Sequence, residues 1–244
     1  ILQKNFLCWK FYFCYTNFFG NTRAILRSKV IGRTSNNLAI NAFLFGNQRP
    51  SSLIIGGVHG DEKEGVALSY ALLSEFVKSY PYTFGLAIIP CLNLDGFLNN
   101  TRQNSNGVDL NRNLPTKDWS ENYDQKRFHP GAYANSESEN IALVNFIEKN
   151  PLVFIMSLHS YKKELLNING DCGPIDNFLN KELGISLERD MGYPTPGCLG
   201  TFAGFEKKIP TITYELLRDS EISNIRDRHM LPIVEGFKLL DNQI

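Results

Sequence analysis

At 244 residues the chain is long enough to bury a sizeable core and falls within the range of one large α/β domain. Lys plus Arg equals Asp plus Glu at 25 each, so nothing in the overall charge draws it to nucleic acid or to an anionic membrane, and any anion recognition must be local. Five cysteines, odd in number and without a CxxC pair, argue against a disulfide framework or a thiolate zinc knuckle; they read as ordinary thiols of a reducing, cytoplasmic setting.

The first twenty residues, ILQKNFLCWKFYFCYTNFFG, are apolar and aromatic, but Lys10 interrupts the run. The uninterrupted stretch is well short of the ~20 residues of a spanning helix, and no small-residue cleavage site follows it, so no membrane span is expected. Residues 1–23 read as an N-terminal extension, either poorly ordered or packed as an aromatic flap, ahead of a single domain over 24–244.

From there short β-type runs alternate with longer helical ones, which indicates an α/β fold with one mixed, twisted sheet and helices on both of its faces. LAINAFLF (38–45) and SSLIIGGV (51–58) are β-like with QRP between them as a turn, a pattern that predicts a hairpin. A helix is expected over 64–80 and a buried strand over 84–90. Residues 91–135 are rich in Asn, Asp, Gly and Pro and predict a long irregular loop, a kind of segment that usually carries function. Helix resumes at SESENIALVNFIEKN (136–150), with Ser136 as expected N-cap and Glu139 as its capping-box partner. PLVFIMSLHS (151–160) predicts a buried strand ending near His159. A helix near 175–190, a Gly/Pro loop GYPTPGCLGTFAG (192–204), a strand IPTITYEL (209–216) and a terminal helix from Glu221 to Leu240 complete the chain.

The chemistry begins at the end of the second β-run. His59 and Glu62 follow SLIIGGV directly, and Gly56, Gly57 and Gly60 let the backbone turn so that both side chains aim at one point. A hydrolytic zinc site needs three nitrogen or oxygen ligands and one open position. An isolated HxxE serves equally as a helix-start glutamate beside a core histidine. His159, carried by LVFIMSLHS to the same sheet edge, is the candidate third ligand, although a satisfied core histidine is its ordinary role. The other two histidines, His129 and His229, sit in polar stretches and are expected at the surface. Arg102, Asn111 and Arg112 stand in TRQNSNGVDLNRNLP (101–115), too polar for core, and a guanidinium fork suits a carboxylate. Glu215 ends an apolar strand, where a carboxylate is costly unless paired or catalytic; its expected role is general base, with a structural ion pair as the competing one.

HxxE, a following Arg, NR in a loop, a distant His and a strand-end Glu, in this order, resemble the M14 family of zinc carboxypeptidases from about residue 30 onward. GGVHGDEKEG, TRQNSNGVDLNRN, GYPTPGCLGTF and TYEL are most similar to its members that cleave the γ-D-glutamyl bond to meso-diaminopimelate in cell-wall peptides. The resemblance implies a zinc carboxypeptidase-like fold for the domain over 24–244, one Zn2+ per chain held by His59, Glu62 and His159, and Glu215 as base. It further implies that Arg102 stabilises the oxyanion, that Asn111 and Arg112 grip the carboxylate beside the scissile bond, and that Tyr193 matches a tyrosine closing over the substrate. The expected partner is a small peptide with a free carboxylate; oligomeric state is left open. Cys198 stands where Ser is expected and Phe202 where Trp is more usual, departures that bear on substrate fit. Two other functions fit part of the pattern: an N-acyl amino acid deacylase of the aspartoacylase and succinylglutamate desuccinylase type, and a non-catalytic carboxylate-binding domain.

Overall fold

The central strands are apolar on consecutive residues, which suits a sheet covered on both faces. A computed structural model of the chain describes residues 26–241, so the expectations for residues 1–23 lie outside the described residues. The strands are β1 (Arg27–Arg33), β2 (Ala39–Phe45), β3 (Pro50–Gly56), β4 (Gly85–Ile89), β5 (Phe154–Tyr161), β6 (Leu165–Asn169), β7 (Ser186–Glu188) and β8 (Thr211–Leu217). They form one mixed sheet in the order β1-β2-β4-β3-β5-β8-β6-β7. Its centre, β4-β3-β5-β8, is parallel, while β2 and β6 pair antiparallel with the centre from either side.

Alternate side chains of β3 enter two separate cores. Ile54 packs with Leu68, Leu72 and Phe76 of α1 (Lys63–Lys78) and with apolar residues of α4 (Pro174–Leu183) and α5 (Ile222–Asp241). Leu53 and Ile55 pack on the other face with Leu143, Phe146 and Ile147 of α3 (Ser138–Lys149) and with Leu199 and Phe202. Among the described residues, no helix is long and apolar enough to cross a membrane.

The predicted hairpin does not form. β4 lies between β2 and β3, so that Ile88 is partnered by Phe43 on one side and Ile54 on the other. All five residues of β4 are buried, and a strand so apolar gains most from two partners, which the β3-α1-β4 crossover provides. The expected capping box is also absent. α3 starts at Ser138, and Ser136 Oγ instead donates to Glu137 Oε1 at 2.6 Å, while the Glu139 carboxylate accepts from Ser35 N and Asn104 Nδ2. Asn113 Nδ2 also donates to Ser136 Oγ at 3.0 Å, so distant partners engage both side chains in place of the local cap. The helix expected to reach 190 stops at Leu183, because Gly184 takes a left-handed conformation at φ 67° and the chain then enters β7. β1, mostly exposed, and β6 went unpredicted. The 91–135 loop is largely irregular as expected, with one short α-helix, α2 (Leu94–Asn99), and single 3-10 turns at Leu110–Arg112 and Lys126–Phe128.

His229 is not a surface residue. It is 2% exposed, accepts a hydrogen bond from Tyr214 Oη at 2.8 Å and faces Glu164 through Nε2 at 3.3 Å. Burial pushes its pKa down to about 4, against an opposing pull from Glu164. An unfolded chain protonates this imidazole near 6.5, so between about 4 and 6.5 the unfolded state binds more protons and stability falls as pH drops. Urea unfolding across this window should show a shallower decline for His229→Gln, whose amide keeps a partner for Tyr214 but does not titrate. Identical declines in the two proteins would refute the assignment.

Candidate active site

Three of the parallel strands deliver the site at one sheet edge. β3 ends at Gly56 and turns through Gly57 at φ +59°, where a side chain would strike Cys91 and Val66. Gly60 lies so close to the backbone of Gly96 that a Cβ would sit 2.1 Å from it, and its N–H donates to the Arg102 carbonyl. This turn presents His59 and places Glu62 at the N-cap of α1. His159 lies in β5 directly opposite Glu215 of β8 in the parallel register.

His59 Nδ1 is 2.9 Å from Glu62 Oε1 and 3.2 Å from His159 Nδ1, while His159 Nδ1 is 2.9 Å from Glu62 Oε2. The three side chains are buried, and their ligand atoms all lie within 4.8 Å of one another. The opposite ring nitrogens are engaged elsewhere: His59 Nε2 meets Asp109 Oδ1 at 3.0 Å, and His159 Nε2 meets Ser157 Oγ at 2.9 Å. Protons placed on both Nε2 atoms leave the two Nδ1 lone pairs converging with a carboxylate. Two imidazole nitrogens and a carboxylate around one point are the donor set of a zinc site, so these residues fit that ion.

Asp109 ties this centre to the long loop. Its Oδ2 accepts from Arg102 Nε at 3.0 Å and Nη2 at 2.9 Å, and its Oδ1 also accepts from the backbone of Asn111. Burial alone would raise the Asp109 carboxyl; the charges of His59 and Arg102 overcome it and hold it well below the usual carboxylate range. Arg102 Nη1 points at the centre, 3.2 Å from His59 Nδ1 and 3.5 Å from Glu62 Oε1. The Phe128 ring lies under three guanidiniums, those of Arg102, Arg112 and Arg127, at 5.1–5.5 Å.

Arg112 and Asn111 line the same cavity of about 850 Å³ as the histidines and Glu215. Asn111 Oδ1 accepts from Leu199 N at 2.9 Å, which docks the 101–113 loop onto the 192–199 loop. Glu215 is only 8% exposed and forms no side-chain hydrogen bond or ion pair among the described residues. Burial pushes its pKa up to about 7, with Glu62 adding to the shift and His159, Arg102 and Arg218 opposing it. A carboxyl so poised can exchange protons at neutral pH. Tyr193 stands in the cavity lining at 41% exposure, hydrogen-bonded to none of the described residues. Cys198 also lines the cavity, its sulfur near Thr201, but Phe202 is buried in the core and outside the lining, so only the first departure can bear on substrate fit. The three described cysteines are buried and free, as the sequence suggested.

All eight predicted site residues therefore line one cavity. Asp109, Ser157 and Phe128 went unpredicted; a lone acid inside the DLNR run was the one sequence signal for Asp109. Asp109→Asn should weaken metal affinity by about 10- to 100-fold, because it removes the charge that orients His59. Competition against a chelator measures this, and wild-type affinity in the variant would sink the role.

Comparison with known proteins supplies the kinship. The zinc carboxypeptidase family (peptidase M14) matches residues 20–177. Murein peptide amidase A of Vibrio campbellii is 34% identical over 178 residues, covering 67% of this chain and 68% of its own. Murein peptide amidase A of Escherichia coli K12 is 28% identical over 165 residues, covering 63% of this chain and 66% of its own. Among solved structures, the murein-tripeptide amidase of Escherichia coli O157 superposes with a TM-score of 0.72 at 22% identity, over 88% of this chain and 91% of its own. At that identity the likeness speaks for the fold alone. The chain belongs to the M14 family of zinc carboxypeptidases, a family of hydrolytic zinc enzymes.

Proposed function

We propose that the domain over 24–244 hydrolyses an amide bond next to a free carboxylate, with the γ-D-Glu–meso-diaminopimelate bond of murein peptides as substrate. The observation that carries this reading is the position of Glu215, an unpaired buried carboxyl directly opposite His159 in the β5–β8 register, with Arg112 in the same cavity. The murein peptide amidase relatives support the choice of peptide. A complete set of ligands and base, together with the family, speaks against a non-catalytic domain. Placement in the cytoplasm belongs to the same reading, supported by the free buried thiols.

In this mechanism His59, Glu62 and His159 hold one zinc ion. Bound there, zinc supplies Lewis acidity to the scissile carbonyl and to the attacking water. Glu215, buried opposite His159 and free of hydrogen-bonded partners among the described residues, accepts the water's proton and delivers it to the leaving amine. Arg102, held by Asp109, donates to the oxygen that becomes negative as the carbonyl is attacked. Arg112 and Asn111 bind the carboxylate beside the scissile bond, and Tyr193 covers the substrate from the cavity wall. Asp109 acts as a positioning residue, through Arg102 and His59, and Phe128 braces the guanidiniums of Arg102 and Arg112.

Glu215→Gln should lower kcat on L-Ala-γ-D-Glu-meso-diaminopimelate by about 10²- to 10⁴-fold while zinc content stays at one per chain. Full activity in that variant would remove the base assignment. Arg112→Gln should act mainly on KM, raising it on the order of 10- to 100-fold, the loss of a charge-assisted contact. An unchanged KM would show that another group grips the carboxylate.

A further inference from the structure

We propose that Arg218, with Lys162 beside it, forms a second carboxylate subsite on the acyl side of the scissile bond and selects acyl-side residues that carry a free carboxylate, as a γ-linked glutamyl residue does; this rests on the hydrolase reading above. Polarity along β8 gives the side. Thr213 and Glu215 share the face of β8 that lines the cavity, and Arg218 lies just beyond the end of that strand, also in the lining. The carboxylate-gripping pair belongs to the Thr213 side. Asn111 is bonded to Leu199, the Arg112 carbonyl packs against Gly197, and Gly200 lies on Asn169. Asn169 stands in β6 opposite Thr211, and Asn167 stands opposite Thr213. Lys162 and Arg218 lie on the other side of the base, each one residue past the last paired positions of β5 and β8, Tyr161 and Leu217. Glu215 thus separates two cationic ends of one cavity.

The turn carrying Arg218 is held firmly. Arg218 N donates to the Tyr161 carbonyl at 2.8 Å, and Asp219 N donates to the buried Glu64 carboxylate at 2.9 Å. Arg218 Nη1 donates to Asp61 Oδ2 at 3.0 Å and Nη2 to Glu62 Oε1 at 3.3 Å, and its side chain remains 32% exposed. A guanidinium has five N–H donors, so three are left for a ligand. Lys162 is exposed in the lining, forms no ion pair among the described residues, and rests over the Tyr161 ring at 5.5 Å. Asp61 offsets the Arg218 charge and Glu62 belongs to the metal centre, so Lys162 supplies the uncompensated positive charge at this end and a single anion is the matching guest.

A γ-linked glutamyl residue brings that anion. Its α-carboxylate stays free on the acyl side, three carbons from the scissile carbonyl, whereas a peptide with an uncharged acyl-side residue offers no anion there. Arg112 cannot serve both ends, since its guanidinium is fixed against Phe128 on the leaving-group side. The two cationic ends therefore match a substrate with carboxylates on both sides of the bond to be cut.

The test uses the full chain with zinc bound and two peptides: L-Ala-γ-D-Glu-meso-diaminopimelate, and the same peptide with the glutamyl α-carboxylate converted to a primary amide. Wild type should prefer the acid, and Arg218→Gln should lower kcat/KM for the acid on the order of 10- to 100-fold more than for the amide, collapsing the acid-to-amide ratio. Lys162→Gln, an exposed position, should give a smaller loss confined to the acid. Zinc content is measured alongside, because Arg218 also touches Glu62. Equal losses on both peptides, or an unchanged acid-to-amide ratio in both variants, would reduce Arg218 to a positioning residue and overturn the subsite. Cleavage of neither peptide by wild type would overturn the hydrolase reading itself, and the subsite with it. Binding of the two peptides to Glu215→Gln by calorimetry should show the same preference for the acid, and loss of that preference on adding Arg218→Gln.

Discussion

The Asp109 carboxylate sets one oxygen against His59 Nε2 and the other against the fork of Arg102, and it is buried while doing so. A buried charge of this kind persists only when its partners are fixed, since removing either one leaves an uncompensated ion in a dry interior. Asp109 therefore locks together the turn after β3 and the polar loop over 101–113, adding a charged tie to the Gly60 N–H bond to the Arg102 carbonyl. The same contact fixes which nitrogen of His59 faces the centre and where the Arg102 guanidinium points.

Around that contact the structure is built of rigid parts. His159 and Glu215 come from paired central strands whose neighbours on both faces are packed cores, so their separation is set by sheet geometry. Arg102 and Arg112 come from a loop, and a loop alone would position them poorly. Phe128 beneath both guanidiniums and Asn111 bonded to Leu199 supply the missing stiffness. The division suits the proposed chemistry, in which the reacting atoms need close tolerances and the substrate-gripping groups must fit one peptide.

Electrostatics divides the carboxylates of the cavity by environment. Asp109, surrounded by His59 and Arg102, stays ionised, whereas Glu215 is buried without a hydrogen-bonded partner and is raised to about 7. Two acids of similar intrinsic strength are thus assigned to different tasks, one holding a geometry and one exchanging a proton. Arg218 works in the opposite sense, because Asp61 and Glu62 occupy part of its donor set and leave the rest turned to the cavity.

By itself the sequence determined the mixed α/β architecture and the positions of the long helices and central strands, because continuous apolar runs and helical stripes are written in local periodicity. It also indicated the residues that meet in the cavity, since a metal site at strand ends leaves short polar motifs right after apolar runs. Strand order was beyond it: nothing in LAINAFLF or SSLIIGGV shows that β4 will separate them, because pairing is decided by which buried strand gains two neighbours. The cap of α3 and the burial of His229 failed for a related reason, as partners distant in sequence outcompeted the local signals in both places. Only the tertiary structure could show that Asp109 joins His59 to Arg102, or that Glu215 stands between two cationic ends, because the His59–Asp109 contact spans 50 positions and the place of Glu215 depends on β8 register.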